Sequence, residues 1–112
     1  PIMRFAIPTA QGKLCAHFGH CETFTLLDVE QGVPAQPRML LPPPHEPGLL
    51  PGWLKERGVT HVIAGGMGGR ARQLFEQAGV TVTVGAPVDD PLALVRAYLN
   101  GTLVTGENTC DH

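Results

Sequence analysis

The chain has 112 residues, eight Lys and Arg against ten Asp and Glu, a formal net charge of −2, and 43% hydrophobic residues. A chain of this length buries roughly two thirds of its unfolded surface, which suits a single domain spanning 1–112 on one core and leaves no room for a second. The slightly acidic balance and 5% aromatic content exclude a basic face for nucleic-acid phosphate, a base-stacking platform and a polybasic membrane anchor.

Ile2 to Ile7 reads as a first strand, with Met3, Phe5 and Ile7 alternating against Ile2, Arg4 and Ala6, and Pro8 is expected to end it. A second strand runs from about Glu22 to Val29, and Gln31-Gly32 turns into a third over Val33 to Leu41. Connections this short predict an antiparallel meander. Pro42-Pro43-Pro44-His45-Glu46-Pro47-Gly48 is read as an extended, exposed loop, with His45 as a solvated residue in it.

Helix and strand then alternate. Leu50, Trp53 and Leu54 form a helical stripe that stops at Gly58, and Val59 to Ala64 is a buried-type strand. Ala71, Leu74, Phe75 and Ala78 share one face of a second helix closed by Gly79, and Val80, Val82 and Val84 alternate as a strand. Asp89 or Asp90 caps a third helix with Pro91 at its first position, ending at Asn100-Gly101, and the tail from Thr102 to His112 is weakly patterned and expected to be flexible. The order βββαβαβα predicts an α/β fold, a mixed five-stranded sheet with flanking helices. It resembles the ribonuclease H-like fold. The first strand carries no acid, however, so a two-metal nuclease site on it lacks ligands.

Absences narrow the chemistry. The chain has no serine, which excludes Ser-His-Asp hydrolase schemes. No basic segment precedes an apolar stretch at the start and no apolar run reaches a membrane span, so the expectation is a cytoplasmic protein. Three cysteines, an odd number, then argue for free thiols, metal ligation or redox chemistry over a disulfide framework.

Three features carry candidate chemistry. The first is Cys15-Ala16-His17-Phe18-Gly19-His20-Cys21, two thiols and two imidazoles in one loop. Thiolate and imidazole suit Fe–S clusters, Zn and Cu(I), although the spacing is neither that of a zinc finger nor of a ferredoxin. The plain alternative is that the cysteines are small buried hydrophobes. The second is the tail Asn108-Thr109-Cys110-Asp111-His112, whose thiol and imidazole complete a site if the tail folds back, or fray if it does not. The third is Gly65-Gly66-Met67-Gly68-Gly69-Arg70 between a strand and a helix, where backbone N–H groups and the helix start favour an anion such as phosphate or a sulfide-bearing cluster. It is neither a Walker A nor a full dinucleotide fingerprint, and a tight strand-to-helix connection is its plain alternative.

His17-Phe18-Gly19, Phe24, the proline and His45 loop, Val62-Ile63-Ala64-Gly65-Gly66-Met67-Gly68-Gly69-Arg70-Ala71, Ala78-Gly79-Val80 and Tyr98-Leu99-Asn100-Gly101 follow one another over nearly the whole chain. This combination resembles the dinitrogenase iron–molybdenum cofactor biosynthesis family, which includes the NifX and NafY carriers, the carboxy-terminal part of NifB and the orange protein. The resemblance implies a ribonuclease H-like domain that binds a preformed metal–sulfur cluster, of Fe–S, Fe–Mo–S or Mo–Cu–S type, and stores or delivers it without turnover. It implies cluster-assembly or cluster-accepting proteins as partners, with a homodimer as a further arrangement, and no nucleic acid or membrane. The histidine of the family motif maps onto His17, with Phe18 and Gly19 beside it. Relatives look more like Ser-x-His-Phe-Gly-Arg, so Cys15, His20 and Cys21 depart from the pattern and make the loop richer in thiol.

The expected site therefore has His17 with Cys15 or Cys21, and His20, as ligands, Gly65 to Gly69 with Met67 as a backbone cradle, Arg70 as counter-charge, and Cys110 or His112 closing over it. Two rivals stand beside it: a regulator binding a phosphorylated metabolite or nucleotide at the glycine turn, and a metal-free protein-interaction module.

Overall fold

The computed structural model describes residues 2–15, 18, 21–44 and 48–106. Along these the elements are β1 (Met3–Ala10), β2 (Lys13–Leu14), β3 (Thr23–Glu30), β4 (Val33–Pro34), β5 (Arg38–Leu40), α1 (Leu49–Glu56), β6 (His61–Ile63), α2 (Gly69–Gln77), β7 (Thr81–Thr83) and α3 (Pro91–Asn100).

Among the described residues the sheet has seven strands, in the order β4-β3-β1-β6-β7, with β2 against β1 and β5 against β3. The α/β class and the mixed sheet are as the element order predicts: β1 and β3 run antiparallel from Met3↔Val29 to Thr9↔Thr23, whereas β6 lies parallel to β1 and β7 parallel to β6. The strand count of five is corrected to seven. The expected third strand breaks in two between Pro34 and Arg38, where its register on β3 shifts by one residue and Pro37 lacks the N–H a ladder needs. A further strand, β2, arises because Gln11 and Gly12 both take positive φ, 54° and 79°, and fold the chain back onto the end of β1.

Pro8 does not end the first strand, as expected from sequence. It sits inside β1 opposite Phe24, and β6 flanks β1 only at Phe5 and Ala6, so beyond them the missing N–H costs no bond to that neighbour. The Pro8 carbonyl still accepts the Cys15 N–H at 2.8 Å.

Strand alternation divides the core into two layers. Ala6, Phe24, Leu26, Val62 and Ala64 face one way and pack with Leu54 of α1 and Phe75 of α2. Phe5, Ile7, Leu27, Val29 and Ile63 face the other way and pack with Leu94 and Val95 of α3. The third helix begins as its sequence predicts: Asp90 accepts the Ala93 N–H, Pro91 stands at the first turn, and Gly101 ends it at φ 72°. Both faces of the sheet are thus covered by helices, and the ends of the parallel strands are left for loops.

Candidate functional site

The loop that follows β2 and the turn that follows β6 meet at one end of the sheet. The Phe18 N–H donates to the Gly66 carbonyl at 3.1 Å. Phe18 itself is buried, edge-on to Phe24 and to Phe75 with ring centroids 5.6 Å apart in each case. The loop is therefore pinned by an aromatic plug in the helical layer of the core.

Cys15 and Cys21 are both partly buried, and neither is in a disulfide. Burial, and then the charge of Cys15, push the Cys21 thiol up to about 11, while the backbone N–H groups of Cys21 and Thr9 pull it the other way. Cys21 also packs against the core layer that contains Phe18. Beside it, Thr9 is wholly buried in β1, with its hydroxyl 2.7 Å from that of Thr23 and 3.1 Å from that of Thr25. Sequence reasoning passed over Thr9; a threonine just after a proline in a central strand was the signal.

The glycine turn splits into an inner and an outer half. Gly65 and Gly66 are buried, and Met67 fills the core with its side chain, 1% exposed, so it offers a cradle only its backbone. Gly68 and Gly69 are exposed at the start of α2, where no side chain caps the helix and the first turn holds no acid. Gly68 has an ordinary φ of −65°, and a Cβ there would meet nothing within 4 Å. Arg70 is exposed, and its guanidinium leans toward Gly48 at the start of α1: a Cβ on Gly48 would lie 3.8 Å from Arg70 Nε.

Gly85, which the sequence reading did not single out, joins the same end of the sheet. Its N–H donates to the Gly65 carbonyl at 2.8 Å and its carbonyl accepts the Gly106 N–H at 2.7 Å. Its place follows from the register: His61↔Thr81, Val62↔Val82 and Ile63↔Thr83 set a constant offset that brings Gly85 level with Gly65. Leu14 N–H also donates to the Asp89 carbonyl at 3.0 Å, so the hairpin carrying Cys15 touches the segment after Gly85.

The structure thus brings together Cys15, Phe18, Cys21 and the Gly65–Gly66 turn. The expected site residues His17, Gly19, His20, Cys110 and His112, and also His45, lie outside the described residues. Among the described residues no group of three or more His, Cys, Asp or Glu could hold a metal ion, and no helix is long and apolar enough to cross a membrane. A cavity of about 260 Å³ lined by Arg72, Glu76, Val80, Thr81 and Val82 lies along α2 and β7, and none of the expected site residues that are described lines it.

Solved structures repeat this architecture. A protein designated PH0822 matches with a TM-score of 0.86 and 28% identity, over 95% of this chain and 96% of that one. The apo form of the orange protein from Desulfovibrio gigas matches with a TM-score of 0.72 and 18% identity, over 95% and 94%. A Thermotoga protein provisionally assigned as NifB matches with 0.69 and 23%, over 92% of each chain. The last two likenesses carry the fold alone. No curated protein matches the chain. Residues 1–101 match the family described as dinitrogenase iron-molybdenum cofactor, and the chain belongs to that family, which is linked to the cofactor's biosynthesis or binding.

Proposed function

We propose that this single domain, with a ribonuclease H-like arrangement, holds a preformed metal–sulfur cluster as cargo and stores or delivers it without catalysing a reaction. The observation that supports it most is the hydrogen bond from Phe18 to Gly66, which sets the thiol- and imidazole-bearing loop against the glycine turn. A cluster that brings its own sulfide needs few protein ligands: thiolate and imidazole suit its metals, and amide N–H groups suit its sulfurs.

The residues fit such a cargo. Cys15 and Cys21 supply thiols with amides turned toward the Cys21 sulfur. His17 and His20 belong to the same loop, and Cys110 or His112 would close over the cargo. Neither conformation nor packing demands glycine at position 68, so the open face there is a cradle that a Cβ would narrow. The cluster would be of Fe–S, Fe–Mo–S or Mo–Cu–S type, exchanged in the cytoplasm with cluster-assembly or cluster-accepting proteins, with a homodimer as one form of the carrier.

Anaerobic reconstitution with iron, sulfide and molybdate or copper tests this, read by visible absorption and metal analysis. The wild type should gain a chromophore that is weakened in His17→Ala, Cys21→Ala and Gly68→Ala, the last without loss of folding stability. No chromophore under any of these conditions refutes the reading. The uncapped start of α2 favours a second reading, a phosphorylated metabolite bound at the turn. A thermal shift with nucleotides or sugar phosphates that survives replacement of all three cysteines by alanine would support that one instead.

A further inference from the structure

The sheet ends in two edges, and they are protected differently. On one side β4 and β5 flank β3, and Pro34, Pro37 and Pro42 interrupt the run of backbone N–H groups there. On the other side β7 is the last strand among the described residues. Val80-Thr81-Val82-Thr83-Val84 contains neither proline nor charge, so nothing in its sequence blunts that edge.

The hydrogen bonds fix which groups this edge presents. The Thr81 N–H donates to the Thr60 carbonyl at 3.0 Å and the Thr83 carbonyl accepts the Ala64 N–H at 2.8 Å, so Thr81 and Thr83 bond toward β6. By alternation the Val82 N–H and carbonyl, the Val80 carbonyl and the Val84 N–H point the other way, out from the sheet. Val82 and Val84 are only partly buried against the α2 layer, and beside them lies the cavity of about 260 Å³ lined by Arg72, Glu76, Val80, Thr81 and Val82. Arg72 and Glu76 stand one turn apart on α2, and both are exposed.

We propose that a second copy of this chain docks on this edge, with β7 of the two copies paired antiparallel about a twofold axis through Val82. The pairing is self-complementary: Val82 exchanges both backbone bonds with Val82 of the second copy, and the Val84 N–H meets the Val80 carbonyl on either side of the axis. An axis perpendicular to the sheet keeps both α2 helices on one face and reverses one of them. Arg72 then stands opposite Glu76 of the second copy, so the charges lining the two cavities are complementary. Val84 of the second copy falls beside Val80 and fills the cavity. Strands of three residues bury little area, so the association is weak and set by concentration. The glycine turns after β6 point to opposite ends of such a dimer, so each copy keeps its own candidate site. This gives the homodimer named above its surface and, where it rests on the cluster-holding reading, one cargo per copy; the docking itself needs no cargo.

The test uses the full chain without cluster. Sedimentation from micromolar to millimolar concentration should show monomer giving way to dimer. Over the same range the Val82 amide should exchange more slowly, while the Thr81 amide, already bonded to Thr60, stays as it was. Arg72→Glu and Glu76→Arg should each raise the dimer Kd about tenfold, because each sets like charges against one another on both sides of the axis. Mixing the two variants should restore pairing as a mixed dimer, counted by native mass spectrometry. Val82→Pro removes the N–H on the axis without costing a bond to β6 and should leave a monomer; where it fails to fold, the exposed charge pair carries the test alone. A chain that is monomeric at millimolar concentration overturns the proposal. So does a dimer that protects Met39 of β5 instead of Val82, which seats the second copy on the other edge. Val82 protection that does not vary with concentration overturns it too, since the edge is then covered within one chain. Cluster loading is read separately by metal analysis: a dimer that never loads sinks the cluster-holding reading alone, and a monomer that loads sinks this inference alone.

Discussion

Phe18 is the residue on which site and fold depend together. It is 6% exposed and lies edge-on to Phe24 and Phe75, so Phe18→Ala removes a plug shared by two other rings. Truncating a buried phenylalanine costs about 3–5 kcal/mol, and for Phe18, which is not wholly buried, about 3 kcal/mol is the expected loss. For a domain whose whole stability is about 5–15 kcal/mol, that lowers a urea midpoint by a large fraction. The same substitution should loosen Cys21, which packs on the same layer and whose thiol is held protonated with its pKa near 11. If the loop's opening free energy falls by the same amount, alkylation of Cys21 through the open state accelerates roughly a hundredfold. Urea unfolding and mass-resolved alkylation measure the two effects on one preparation. Phe18→Leu, which keeps the burial and loses the ring edges, should cost about 1–1.5 kcal/mol. A loss below about 1 kcal/mol in Phe18→Ala, with unchanged Cys21 labelling, would show that the loop is not anchored there.

The opposite end of the sheet makes the next two predictions, and the start of α3 makes the last. His61 stacks on Phe5 at 4.8 Å, meets Tyr98 edge-on and has Thr60 Oγ1 2.7 Å from its Nδ1, and burial lowers its pKa from the ordinary 6.5. A folded value below the unfolded one means that its share of stability is present above pH 6.5 and is lost as pH falls through the lowered value. Urea midpoints of His61→Phe across that window should therefore fall less in acid than those of wild type, and parallel curves would refute the assignment. The Arg4 guanidinium, paired with Asp28 at 2.7 and 3.1 Å, holds that carboxyl below the usual range, so this second contribution is lost only at lower pH, as the carboxyl protonates. Asp28→Asn should remove that step and leave the His61 step in place. Asp90→Ala deletes the cap of α3 and should cost about 1 kcal/mol by urea unfolding, without altering cysteine labelling in the loop.

What the sequence made legible is what local chemistry decides. Pro91 and Gly101 bound the third helix, with the cap narrowed to Asp89 or Asp90, and alternation in Phe5, Ala6 and Ile7 assigns opposite faces, as read from the residues alone. What escaped was decided by neighbours. Pro8 belongs to a strand because β6 stops short of it, and Gln11-Gly12 is a hairpin turn because Leu14 has Thr9 to pair with. The glycine turn was visible as a run, but its division was not: Met67 turns into the core, and Arg70 leans to Gly48 instead of inward. Among the expected ligands, only Cys15 and Cys21 fall on described residues.

The parallel register explains why loops distant in sequence meet at this end. In a parallel pair both chains leave the sheet in the same direction, so the turns after β6 and β7 emerge side by side. The pairing of Ile63 with Thr83 leaves each strand one residue, Ala64 or Val84, before its glycine, and the Gly85 N–H then reaches Gly65 without a side chain intervening on either. The antiparallel hairpin of β1 and β2 ends nearby, with Cys15 bonded to Pro8 and Leu14 to Asp89. Cys15 and Cys21 are thus carried to a place where glycine backbone is already gathered by topology. A shift of one residue in the β6–β7 register would move Gly85 off Gly65 and send alternate side chains to the opposite core layer. The two layers that stabilise the domain therefore also hold the candidate site in register, which is why the Phe18 substitutions are expected to act on the site through the fold.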